Sequence, residues 1–213
     1  MRLVSVNVAK PEPVVLNGRE LTTAIVKLPV SAPVAVGTLG LDGDEVAAVE
    51  HHGGVDQAVY AYSTDDYDWW NAELGGDRLV PGTFGENLTI EGFESADICV
   101  GDRFELAGGV GLAATAPRIP CAKLGARMGD AKFPIRFTLA RRPGVYLRVI
   151  EPGTVETGER VTLTPTTGPS LSMADLVELY TDRTATPARL EAALALPIAE
   201  RARAHYEQRL SAR

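Results

Sequence analysis

Hydrophobic residues in the first 117 positions recur in short runs of period two that Gly and Pro interrupt, the pattern of half-buried strands. Leu3-Val4-Ser5-Val6-Asn7-Val8 alternates cleanly and residues 21–30 more loosely, while Val34-Ala35-Val36 and 46–49 are shorter candidates. The Gly40-Leu-Asp-Gly-Asp44 segment predicts a turn. One helix interrupts the strands. Ser63 or Thr64 can cap it, Asp65, Asp66 and Asp68 favour its positive end, and Gly75-Gly76 stops it after Trp69, Trp70 and Leu74. Further strands are predicted over 103–106 and 111–115, followed by a Pro-rich bend at Pro117-Arg-Ile-Pro-Cys121.

The period then changes. Residues 121–128 and 133–142 predict two short helices, and β structure returns at 145–150 and 160–163. Thr164-Pro-Thr-Thr-Gly-Pro-Ser170 reads as a linker. Beyond it, Ser172 with Asp175 forms a capping-box-like start to a helix over 173–180, Pro187 opens a second that runs to 196, and Pro197 a third that runs to 210. Three short helices bury little core by themselves, so they are expected to pack on the main domain or on a partner. The resulting fold class is mostly β with α, followed by a small helical extension.

Composition narrows the function classes. Aliphatic, aromatic and Cys residues make up 45%, enough for a sizeable core and too many for a disordered chain. The formal net charge of −7 argues against coating nucleic acid or attaching to a membrane through a polybasic patch. The longest uncharged runs, 28–41 and 161–174, are broken by Pro and Gly and fall short of the roughly 20 apolar residues of a spanning helix. No charged-then-apolar leader is visible, so the expectation is a cytoplasmic protein whose two cysteines, Cys99 and Cys121, remain thiols. The charge is unevenly placed: residues 1–117 carry six Lys/Arg against 18 Asp/Glu, whereas 118–148 carry eight Lys/Arg and only Asp130. A basic block in an acidic chain is either an anion site or a set of arginines paired with acids elsewhere.

Cys121 lies between Pro120 and a predicted helix, with Arg118, Lys123 and Arg127 nearby in sequence, a setting that favours a thiolate. Such a thiolate can be a nucleophile, a redox thiol or a ligand for a soft metal, and the alternative is an inert buried Cys. Cys99, on an apolar strand-like run, reads as core. His51-His52-Gly53-Gly54 lacks the spacing of a zinc site and suits a turn that brings backbone to a ligand with an imidazole at its rim. Glu86 and Asn87, between the Gly82-Thr-Phe-Gly85 turn and a strand, form a carboxylate–amide pair able to orient a polar ligand. No dinucleotide fingerprint, P-loop or nucleophile elbow is present.

Taken in order, several segments resemble the MOSC domain family, in particular its stand-alone YiiM-like branch. They are Thr23-Ala-Ile-Val-Lys27-Leu-Pro-Val30, Gly40-Leu-Asp-Gly-Asp44, His52-Gly-Gly-Val-Asp-Gln-Ala-Val-Tyr-Ala-Tyr62, Gly82-Thr-Phe-Gly-Glu-Asn-Leu-Thr89, Gly101-Asp102, Pro117-Arg-Ile-Pro-Cys-Ala-Lys-Leu124 and Gly144-Val-Tyr-Leu-Arg-Val-Ile150. The resemblance implies a β-barrel-like MOSC domain over 1–165 and a three-helix extension over 170–213. It also implies the molybdenum cofactor (Mo-molybdopterin), with Cys121 as the protein ligand to Mo. Lys27, His52, Gly53, Gly54, Asn87, Arg118 and Lys123 would hold the cofactor and its phosphate, and Glu86 with Asn87 would face cofactor or substrate beside Cys121. The implied activity is two-electron reduction of small N-hydroxylated compounds (hydroxylaminopurines, amidoximes, hydroxylamines), with electrons from an external reductase, flavoprotein or similar, and neither nucleic acid nor membrane as partner. The alternative is a non-catalytic carrier of the cofactor or of sulfur on Cys121; a metal-free thiol enzyme pairing Cys121 with His51 or His52 lacks any diagnostic spacing.

Overall fold

The structure, a computed structural model, describes residues 1–16, 18–47 and 53–212. In chain order its strands and helices are β1 (Arg2–Val8), β2 (Glu12–Leu16), β3 (Arg19–Thr23), β4 (Leu28–Val30), β5 (Val34–Gly37), β6 (Gly40–Leu41), a 3-10 turn (Val55–Gln57), β7 (Val59–Ser63), α1 (Thr64–Leu74), β8 (Leu88–Glu91), β9 (Arg103–Leu106), β10 (Gly111–Pro117), α2 (Ala122–Arg127), α3 (Phe133–Ala140), β11 (Val145–Glu151), β12 (Gly153–Val155), β13 (Val161–Thr164), α4 (Met173–Thr181), α5 (Pro187–Leu194) and α6 (Glu200–Ser211).

Eight strands form one sheet in the order β13-β9-β10-β11-β7-β8-β1-β4. The pairings are antiparallel except β7 with β8, and that exception follows from their connection. Parallel neighbours need a crossover, and α1 supplies it. Ser63 caps α1 by accepting from the Asp65 amide, and Gly75 ends it with φ +64°, as the sequence predicts. The sheet curls so that β1, one strand in from the β4 edge, reaches the chain before β13: the Leu3 amide donates to the Glu159 carbonyl, the Gly158 amide donates to the Leu3 carbonyl, and Arg2 forms an isolated bridge with Arg160. The expected barrel is therefore not closed among the described residues: the sheet is curled, and its ladder stays open apart from that bridge.

Two apolar clusters fill the fold. One runs from Leu3, Ile90, Phe104 and Leu147 on the sheet to Met173, Leu179, Leu190 and Tyr206 on the last three helices, so those helices pack on the sheet. The second is aromatic. Tyr62, Tyr67, Trp70, Phe84, Phe133 and Phe137 join α1 and α3 to β7, with Phe84 4.5 Å from Tyr62 and Trp70 stacked on Phe137 at 6.0 Å. Polar tips are paired: the Trp70 indole donates to the Tyr62 hydroxyl, which donates to the Arg142 carbonyl.

Three expectations change. Residues 21–30 are two strands, β3 and β4, because the chain breaks after Thr23, whose hydroxyl accepts from the Ile25 amide. Val46 and Ala47 are not in a strand, and 48–49 lie outside the described residues. Cys99 is half-buried in an isolated bridge with Ser172, its amide donating to the Asp102 carboxylate, and is not core. Its thiol is pushed up by burial and by the carboxylates of Asp102 and Asp175, which keeps it protonated.

Phe84 is fully buried at the centre of the aromatic cluster. Phe84→Ala is expected to cost about 3–5 kcal/mol in urea-induced unfolding; a loss below about 1 kcal/mol would mean that the cluster does not hold α1 and α3 to the sheet.

Candidate functional site

The loop after β3, the turn after β6, the start of β7 and the bend before α2 converge on one cleft. Lys27, Gly53, Asn87, Arg118, Cys121 and Lys123 all line it. It encloses about 700 Å³, part of it open to solvent. Six expected site residues from four separated segments therefore meet in space. His52 lies outside the described residues. Gly54 heads the 3-10 turn with φ +85° and does not line the cleft.

The expected Glu86–Asn87 pair is split by the alternation of the chain. Asn87 faces the cleft, and its side chain is locked: Oδ1 accepts from the Tyr60 amide at 3.1 Å and Nδ2 donates to Asp44 at 2.8 Å. Glu86 turns away and is 0% exposed. Its Oε1 accepts from the Tyr67 hydroxyl, the Gly82 amide and the Thr89 hydroxyl at 2.7–2.8 Å, and its Oε2 has no partner among the described residues. Burial pushes its pKa up, only partly opposed by those bonds. Glu86 thus braces the Gly82–Gly85 turn from behind, and the expectation that it faces the ligand is corrected. That turn must be glycine at its start, since Gly82 has φ +86° and a Cβ there would lie 2.4 Å from the Lys27 carbonyl oxygen.

Asp44 is the residue that sequence reasoning missed, because it reads as turn material. It lines the cleft and accepts from Lys27 Nζ, from Asn87 Nδ2 and from the Ala9 amide. Lys27 is 8% exposed and its pKa is lowered by burial, an effect that Asp44 opposes. The ammonium is therefore already offset by a carboxylate. Arg118, 7% exposed, donates to the Phe84 carbonyl and lies 5.2 Å over the Tyr60 ring, so the aromatic cluster fixes its place. Cys121 is the N-cap of α2 and is half-buried, in no disulfide among the described residues.

The basic block divides. Arg118 and Lys123 reach the cleft, whereas Arg136 pairs with Glu73 and Asp130, Arg141 with Asp175 and Glu178, Arg142 with Asp66 and Glu94, and Arg148 with Asp56. Much of the block is structural charge pairing, and what remains is a small anion-attracting edge beside a thiol. Among the described residues no group of three or more His, Cys, Asp or Glu could hold a metal ion. A metal carried by its own chelator needs only one protein ligand, and a cleft with one thiol and two cations at its rim fits that kind of group.

This fold and this cleft define a MOSC protein. A MOSC domain profile matches residues 48–162, and the chain belongs to that family. Uncharacterized protein YflK of Bacillus subtilis is 33% identical over 161 residues, covering 76% of this chain and 72% of that one. The crystal structure of YiiM from Geobacillus stearothermophilus matches with a TM-score of 0.80 at 29% identity over 98% of both chains, so the protein is YiiM-like. A protein named "Reductase" from Gibberella moniliformis is 31% identical over 185 residues, 86% of this chain but 33% of that longer protein. No helix among the described residues is long and apolar enough to cross a membrane.

Because the folded state raises the pKa of Glu86, it binds a proton more tightly than the unfolded chain, and stability falls as pH rises above the ordinary carboxyl value of 4.5. Glu86→Gln removes that slope. Thermal melts from pH 5 to 8 should show the wild type losing Tm relative to the variant; parallel curves would mean that the carboxyl is not held in an uncompensated site.

Proposed function

We infer that the protein is a molybdenum-cofactor-dependent reductase of N-hydroxylated compounds. The observation that carries this reading is the meeting of Cys121 with Arg118 and Lys123 at one cleft, in a chain of the MOSC family. When bound, the cofactor would supply a two-electron couple at molybdenum, so that an N–OH group, two electrons and two protons give an amine and water.

The chain's own residues do the rest. Cys121, as thiolate, would bind the metal through Sγ, a soft donor suited to it. Arg118 and Lys123 would hold the cofactor's phosphate, Arg118 through a guanidinium already oriented by the Phe84 carbonyl and the Tyr60 ring. Gly53, with φ +76°, keeps the adjoining loop free of a side chain that would meet Val46. Lys27 holds its proton at Nζ against Asp44, and Asn87 fixes that carboxylate. The Tyr60 and Tyr146 rings, 4.9 Å apart, wall the cleft and would give the cofactor or substrate an apolar face. Electrons would come from a separate reductase, the one partner this reading requires, and the small N-hydroxylated compound is the substrate.

Two measurements test it. Protein purified from a host that makes the cofactor, reduced with dithionite and a viologen, is expected to convert benzamidoxime to benzamidine or hydroxylaminopurine to aminopurine; molybdenum-loaded protein that reduces neither would overturn the enzyme reading and leave a carrier. Cys121→Ala is expected to abolish turnover, and Arg118→Ala or Lys123→Ala to lower molybdenum retention about tenfold, the worth of one charge-assisted hydrogen bond. Unchanged metal content in both would remove those cations from the site.

A further inference from the structure

A second hollow opens beside the cleft and shares two of its walls. Gln57 and Tyr146 line both. The second hollow lies between the sheet, at β10 and β11, and the C-terminal helices α4 and α6, and it too encloses about 700 Å³ including open space. Its walls are mostly carbon: Ala116, Pro117 and Ile119 on one side, Leu176, Tyr180 and Tyr206 on the other. Tyr180 and His205 stack there with ring centroids 4.2 Å apart, and the buried His205 Nε2 has no partner among the described residues. A buried polar atom left without a partner is a deficit that a ligand hydrogen bond would remove.

The shared wall is firmly built. Asp56 precedes Gln57 and accepts from the Arg148 guanidinium at 2.6 Å and from the Glu200 amide, the first residue of α6, at 2.9 Å, while its carbonyl accepts from the Thr115 hydroxyl. Gln57 itself accepts from Arg201 at 3.1 Å. The Ala199 amide donates to Thr115, so α6 is pinned to β10 at the point where the two hollows join. The cation of this hollow, Arg201, is thus engaged with Gln57, and the walls suit a flat, largely apolar body more than a second phosphate.

We propose that the hollow between β10–β11 and α4–α6 seats the planar heteroaromatic body of the substrate, with its N–OH group reaching past Tyr146 and Gln57 toward Cys121. The C-terminal helices then select substrates. Tyr180 offers a ring face for stacking, Tyr206 backs the wall, and His205 Nε2 offers one hydrogen bond to a ring nitrogen or its proton. Tyr146 and Gln57 act as the sill between the selecting chamber and the reacting one. This assignment rests on the reductase reading for the direction of the N–OH group, but the seat for the base can be tested without turnover.

The test is adenine binding to the cofactor-free full-length chain, followed by titration calorimetry and ligand-observed NMR. Wild-type protein is expected to bind the base, and both Ala202→Phe, which fills the hollow from α6, and Tyr180→Ala, which removes a stacking face, are expected to weaken binding at least tenfold while circular dichroism stays native. Two variants of opposite volume guard against a folding artefact in one. In the loaded enzyme the ratio of KM for hydroxylaminopurine to KM for hydroxylamine should rise by a similar factor. No adenine binding, or binding that neither folded variant weakens, would overturn the assignment even if the loaded enzyme reduces hydroxylamine. Adenine binding that the variants weaken, in a protein that reduces nothing when loaded, would support the seat and remove the reductase reading instead.

Discussion

The buried contact of Lys27, Asp44 and Asn87 is the constraint on which the cleft depends. Asp44 draws in donors from three parts of the chain: the amide that follows β1, the lysine that precedes β4, and the amide side chain just before β8. Asn87 passes the constraint on, since Oδ1 accepts from the Tyr60 amide and the backbone joins Asn7 and Tyr60. Two ions held in so little water are stabilised only while each keeps its partners, and loss of either would leave a buried charge at a cost of about 3–5 kcal/mol. The same contact offsets one of the positive charges in the cleft. That leaves Arg118 and Lys123 as the cations that distinguish this site from any other polar hollow, and it explains why a chain of net charge −7 can still attract an anion at one edge.

Around that constraint the fold works by division of labour. The aromatic cluster under α1 and α3 fixes the Gly82–Gly85 turn and, through the Phe84 carbonyl, the guanidinium of Arg118. The sheet core fixes Tyr60 and Tyr146, and the C-terminal helices close the adjoining hollow. Glu86 belongs to the support and not to the lining of the cleft. Its carboxyl is retained in a dry site because three donors converge on one oxygen, and the folded state tolerates the other oxygen by favouring the proton.

Periodicity made much of the architecture legible. The alternation at residues 3–8, the capped helix from Ser63 to Gly75 and the three tail helices are local patterns, and local physics decides them. What escaped was non-local. The hairpin of β2 with β3 has a Pro inside one strand and polar residues in the other, so its alternation is weak and its pairing supplies what the pattern does not. The basic block looked uniform because the acids that neutralise it stand far off: Glu178 is 37 positions from Arg141, Asp66 76 from Arg142, and Asp56 92 from Arg148. Asp44 was hidden in the same way, with partners 17, 35 and 43 positions distant. Cys121 was visible early because its setting, a Pro-rich bend leading into a helix amid positive charge, is written in adjacent residues.

The central claim is that the Cys121 thiolate binds the metal of a cofactor seated in this cleft. X-ray absorption at the molybdenum edge of the loaded protein, compared with Cys121→Ser, tests it without reference to turnover. The claim predicts that the variant loses one sulfur from the metal's coordination shell while the sulfurs of the cofactor remain; an identical sulfur shell in the two proteins, at equal metal loading, would contradict it.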